Sequence, residues 1–127
     1  MTNKQGFTLI ELLFAVAIIL PVLLGAVGLN VYVFRAAETS RRAMIAVQDA
    51  HTVIERIRNT SETSLAQVTT NYPNSQAVSG FSNLPSEQVV VSYPNASADP
   101  LVITVTVNWT DRQGTMSRLL TTQVTHR

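Results

Sequence analysis

The chain contains no cysteine, so no disulfide staples it, and the usual redox clue to an exported compartment is missing. Histidine is scarce as well: His51 falls on the polar or boundary face of a predicted helix, and His126 stands next to the C-terminus. Neither has a carboxylate or cysteine at metal-ligand spacing, so both read as structural or solvated side chains and no metal or cofactor is expected. Charge is sparse and balanced, nine Lys and Arg against eight Asp and Glu, which implies no strongly basic or acidic partner. There is no nucleophile elbow, P-loop or pair of acids, so no catalytic site is expected. Asp99 and Asp111 are isolated acids, too few for a calcium site. A nucleic-acid surface needs a basic patch interleaved with aromatics, and the candidates reduce to Arg112, Arg118, His126 and Arg127 near Trp109. Trp109 alternates in phase with Ile103 and Val105, which assigns it to a core, so DNA is a partner the sequence permits but does not favour. Three Asn-x-Ser/Thr triplets, beginning at Asn59, Asn95 and Asn108, fit the glycan acceptor pattern, but such triplets are common by chance and a bacterial source would make them irrelevant.

What the chain does have is a long apolar run. No residue from Leu12 to Phe34 is charged, and Asn30 is the one strongly polar member. About 20 apolar residues in a helix span a bilayer core, and a single span must be helical because lipid offers the backbone no hydrogen bonds. Pro21 removes one helical bond, and Gly25 and Gly28 lower propensity, so a bend or local melting near Pro21 is expected. The run is longer than the apolar core of a secretory signal and lacks an Ala-x-Ala exit, so it is expected to stay in the mature protein as an anchor. Glu11 is out of keeping with its surroundings. A carboxylate well inside a membrane costs roughly 2.5 to 3.5 kcal/mol on insertion scales, which makes it a functional candidate.

The stretch Gly6-Phe7-Thr8-Leu9-Ile10-Glu11, behind a short polar leader, resembles the class III signal sequence of type IV pilins and of the pilin-like proteins of type II secretion. The resemblance implies that a prepilin peptidase cuts between Gly6 and Phe7 and methylates the new amine of Phe7. It further implies that Glu11 pairs with the amine of a neighbouring subunit during assembly. Such pairing is physically reasonable, since a charge in lipid is tolerable when an opposite charge meets it. Loss of Lys4 with the leader would leave eight basic against eight acidic side chains. Charge near the ends of the span, with Lys4 and the amino terminus set against Arg35, Arg41 and Arg42, would place the C-terminal side in the cytoplasm. The resemblance implies the reverse, a single-pass protein of the bacterial inner membrane with its C-terminal domain outside the cytoplasm.

Beyond the span the helical pattern continues, free of Gly and Pro from Arg35 to Arg58. Val31, Phe34, Ala37, Ile45, Val53 or Ile54, and Ile57 define an apolar stripe. Glu38, Arg41, Arg42, Asp49, Glu55, Arg56 and Arg58 lie opposite, with Glu38 and Arg42 at a favourable i,i+4 spacing. The helix is expected to stop near Asn59. A helix from Thr8 to Asn59 measures about 75 Å at 1.5 Å per residue, too long to be covered by a domain of this size. Its first half is expected to lie in lipid before assembly and among other helices afterwards, where Gly25, Ala26 and Gly28 permit close contact. Thr60 to Pro85 is rich in Ser, Thr, Asn and Gln and reads as a long ordered loop with one helical turn after Ser61, the expected variable contact surface. Glu87 to Tyr93, Leu101 to Trp109 and Met116 to Thr125 read as three antiparallel strands, the last two joined by a turn at Thr110 to Gly114. Their apolar face needs the second half of the helix as its other layer.

The expected fold is therefore α+β and pilin-like: a leader at 1–6, a transmembrane half-helix at 7–34, and a periplasmic or extracellular head at 35–127 comprising the rest of the helix and a small antiparallel sheet. The function that follows from the resemblance is that of a minor type IV pilin, a structural subunit in pilus assembly, priming or modification. Its partners would be other pilins or pseudopilins, the prepilin peptidase and the inner-membrane assembly platform. A minor pseudopilin of a type II secretion system is the nearest alternative. A single-pass membrane-anchored binding domain that does not polymerise is the alternative of another class.

Overall fold

The computed structural model describes residues 8–125, so Gly6, Phe7, His126 and Arg127 lie outside the described residues. Two helices and four strands follow in order: α1 (Leu9–Ser61), α2 (Leu65–Asn71), β1 (Gln76–Val78), β2 (Gln88–Ser92), β3 (Leu101–Asp111) and β4 (Gly114–Val124). The chain divides into two compact units, one ending at Glu38 and one beginning at Thr39.

The first unit is the apolar part of α1. It is long and apolar enough to cross a membrane, and none of its most apolar stretch is buried. α1 runs through Pro21 without interruption, so the expected local melting does not occur. Asn30 returns its amide to the carbonyl of Ala26 at 2.8 Å, so the one polar side chain of the run is satisfied within the helix.

The second unit is built on the remainder of α1. Ala46, Ala50, Val53, Ile54 and Ile57 are buried at helical spacing and form a stripe that meets the sheet. The stripe differs from the expected one. Ala46 and Ala50 replace the weight placed on Ile45, which is half-buried, and Asp49, assigned by pattern to the polar face, is buried among them at 6 % exposure. The helix ends at Ser61, whose hydroxyl donates to the carbonyl of Arg58 at 2.7 Å.

The sheet is four-stranded and antiparallel in the order β1-β2-β3-β4, a simple meander. Three of its strands are the expected ones; β1, three residues long, pairs with Val89 to Val91 and was hidden in the segment read as a loop. A short run without alternation gives no periodic signal, so only the partner strand identifies it. The same segment holds α2, seven residues long and capped by Ser64, whose hydroxyl accepts the N–H of Ala66 at 3.2 Å. Val68 is the buried anchor of α2.

Along β3 the burial alternates without a fault from Leu101 to Trp109. Leu101, Ile103, Val105, Val107 and Trp109 face α1 together with Val89 and Val91 of β2 and with Met116, Leu120 and Val124 of β4. β3 extends to Asp111, and only Arg112 and Gln113 separate it from β4. Gly114 closes this hairpin with φ +117°, a conformation that a side chain would strain. The result is the α+β arrangement expected: a long helix, apolar at its N-terminal end, packed through its C-terminal part on a small antiparallel sheet.

Candidate assembly segment and polar groups of the head

Glu11 lies in the first turn of α1, where the helix dipole favours an acid. Thr8 opens the helix, its carbonyl accepting the N–H groups of Glu11 at 3.1 Å and Leu12 at 3.2 Å. Glu11 is exposed, and among the described residues no side chain pairs with it. Around it the surface is apolar: Leu9, Ile10, Leu12, Leu13 and Phe14 are all more than half exposed. A fully buried side chain of this kind is worth about 1.5 to 3 kcal/mol relative to water, so a band of them on one helix is stable only in lipid or against other apolar surfaces. Gly6 and Phe7, the expected cleavage and methylation positions, lie outside the described residues.

Several ionisable groups of the head are paired in ways the sequence pattern did not indicate. Arg42 donates to Asp111 Oδ1 at 2.7 Å, with side chains 21 % and 8 % exposed. The hydroxyl of Thr39 and the N–H of Arg112 also approach the Asp111 carboxylate, at 3.5 and 2.7 Å. Asp111 thus ties the hairpin tip to α1. Asp99 precedes β3 and Asp111 ends it, so some 30 Å or more of strand separates them at about 3.3 Å per residue. Among the described residues no three His, Asp or Glu side chains gather as metal ligands. His51 is exposed on α1.

A second polar knot sits where the 80–87 segment crosses α1. The amide of Asn83 donates to both Asp49 oxygens, at 3.0 and 3.1 Å. Glu87 Oε2 accepts the backbone N–H groups of Asn83 at 2.7 Å and Leu84 at 3.1 Å. Its other oxygen, Oε1, is buried with no donor. Burial pushes the Glu87 carboxyl up from its ordinary value; the Leu84 N–H opposes this, and the neighbouring Asp49 carboxylate adds to it by hydrogen bonding and by charge. The signal for Asp49 was present in the sequence, since it stands three residues after Ala46 and four before Val53 on the buried stripe.

Trp109 is 2 % exposed and belongs to the core, its indole Nε1 without an acceptor among the described residues. It offers no face for base stacking. Arg112 and Arg118 are exposed, Arg118 donating to the carbonyl of Ser117 at 3.1 Å.

Residues 1–27 match a family model described as the prokaryotic N-terminal methylation motif. No curated protein and no solved structure matches the chain. The match covers the polar leader, Gly6, Phe7, Glu11 and the apolar start of α1, and it supports a type IV pilin- or pseudopilin-like protein, a group whose members are generally structural. The chain thus carries at its N-terminus the class III signal sequence of type IV pilin-like proteins.

Proposed function

We propose that this chain is a minor type IV pilin, a structural subunit that is processed by prepilin peptidase and enters a filament through its apolar half-helix. The observation that carries the reading is the methylation motif over residues 1–27, continued by an exposed apolar helix with one acid in its first turn. Cleavage between Gly6 and Phe7 removes the leader and creates a new amine at Phe7, which the same enzyme methylates. Residues 7–34 then anchor the protein in the inner membrane, and 35–127 form the head outside the cytoplasm. On assembly, Glu11 meets the Phe7 amine of a neighbouring subunit. Each charge is costly in an apolar setting when alone and is compensated when paired. The remaining apolar side chains of α1 are covered by the helices of other pilins, and the inner-membrane assembly platform is the partner that brings the subunits together. The small head and the absence of disulfides suit a minor rather than a major subunit. The same motif serves pseudopilins, so a minor pseudopilin of a type II secretion system is the neighbouring reading.

Intact mass and N-terminal sequence of the membrane-extracted protein, expressed with and without a prepilin peptidase, test this directly. A chain starting at methylated Phe7 only when the peptidase is present is the expected result. Retention of Met1 to Gly6, or cleavage after the apolar run, overturns it and leaves a membrane-anchored binding domain or a secreted one.

A further inference from the structure

The head has an open surface pocket of about 370 Å³ between α1, the end of α2 and β1, lined by Arg56, Asn71, Tyr72, Gln76, Ser79 and the residues between them, most of them exposed. Cavities of this size that take apolar ligands are lined mainly by hydrophobic and aromatic side chains with a few polar groups. Here a guanidinium, two carboxamides and a hydroxyl contribute much of the wall, and an apolar occupant would leave them without hydrogen bonds.

Arg56 is the single ionised residue of the lining. Its guanidinium carbon stands 5.2 Å from the centre of the Phe81 ring, a cation–π contact that restrains the side chain before any ligand arrives. Among the described residues its fork of donors makes no ion pair and no hydrogen bond. The adjacent acid does not neutralise it, because Glu55 is engaged by Arg58 Nη1 at 3.2 Å. The carboxamides of Asn71 and Gln76 likewise have no hydrogen-bond partner among the described residues.

We propose that this cavity binds an acidic sugar, its carboxylate on Arg56 and its ring hydroxyls on Asn71, Gln76 and Ser79. A planar guanidinium matches a carboxylate with two parallel hydrogen bonds. Carboxamides and hydroxyls both donate and accept, which complements sugar hydroxyls, whereas a phosphate is mainly an acceptor, carries up to two charges at neutral pH and is better served by a cluster of cations. One cation beside several two-way hydrogen-bonding groups therefore selects a singly charged, hydroxylated ligand. The site is independent of processing and assembly at the other end of the chain.

The test is calorimetric titration of the detergent-solubilised full chain with galacturonate, galactose and inorganic phosphate as probes. Galacturonate is expected to bind roughly tenfold more tightly than the other two, the weight of one charge-assisted bidentate contact. Arg56→Gln is expected to bring galacturonate down to the level of galactose, and Gln76→Ala to weaken both sugars. Arg56→Lys, which keeps the charge but not the fork, is expected to fall between. Urea unfolding followed by Trp109 fluorescence checks that each variant is folded. Equal affinity for the three probes, tighter binding of phosphate, no binding of galacturonate, or undiminished galacturonate binding by folded Arg56→Gln each overturns the proposal.

Discussion

Replacing Glu87 by Gln is expected to stabilise the head at neutral pH and to remove one component of its pH dependence. In the native head one Glu87 oxygen accepts two backbone N–H groups, while Oε1 is buried without a donor beside the Asp49 carboxylate. A buried acceptor without a partner costs about 1 to 3 kcal/mol. A glutamine keeps a carbonyl oxygen for the two N–H groups and turns the orphaned acceptor into a donor facing Asp49. The two backbone bonds weaken when their acceptor loses its charge, so the net gain at pH 7 should be about 1 kcal/mol, near the low end of that range. The sign of the pH effect follows from linkage. The folded carboxyl is raised above 4.5, so the native state holds a proton that the unfolded chain releases first. The stability contributed by that proton is complete below the unfolded value and is lost as pH rises through the raised folded value. Wild type should therefore lose part of its stability between pH 4.5 and the raised folded value, and Glu87→Gln should lose less over the same interval. The assay is urea unfolding of the solubilised full chain from pH 4 to 7.5, read by the fluorescence of Trp109. That residue is the single tryptophan, is 2 % exposed, and reports the head alone. For a head of this size 1 kcal/mol corresponds to a midpoint shift of about 4 to 8 °C in a thermal scan. A variant less stable than wild type at pH 7, with an unchanged pH slope, would refute the account of Glu87 and Asp49.

Two further substitutions probe the joint between helix and sheet. Ile57→Ala deletes a fully buried side chain of α1 and is expected to cost about 2 to 5 kcal/mol in the same unfolding assay, with no change in processing at Gly6; a loss below 1 kcal/mol would show that the α1 stripe does not support the sheet. Asp111→Ala removes the acceptor that Arg42, Thr39 and the Arg112 N–H share and should cost about 1 to 2 kcal/mol. Because the pair is partly exposed, that loss should shrink in 1 M salt, and a salt-independent loss would point to packing rather than charge.

The N-terminal part of this protein was legible in the sequence because its determinants are local. An uncharged run from Leu12 to Phe34 can be satisfied only as a helix in an apolar setting, and the N-terminal methylation motif lies within the contiguous residues 1–27. Strand β3 was equally plain, since alternation from Leu101 to Trp109 leaves one way to bury five apolar side chains. Where tertiary contacts choose the structure, the sequence said less: it offered a helical turn after Ser61 but not the extent of α2. Nothing in Gln76-Ala77-Val78 says strand until β2 offers its edge, and the seven residues of α2 depend on the Ser64 cap and the burial of Val68. The inward acid Asp49 was assigned to solvent because residue type outweighed its position on the helix, whereas Asn83 and the 80–87 segment, over 30 residues away, supply what makes its burial tolerable. The same holds for Arg56: its stack on Phe81 and the cavity beside it exist only because α2 and β1 fold back on α1. Sequence by itself determined the apolar helix and the signal motif that precedes it, since both reside in contiguous residues. The tertiary structure alone decided which polar groups of the head are paired, buried or left open to a ligand, since each depends on partners distant in the chain.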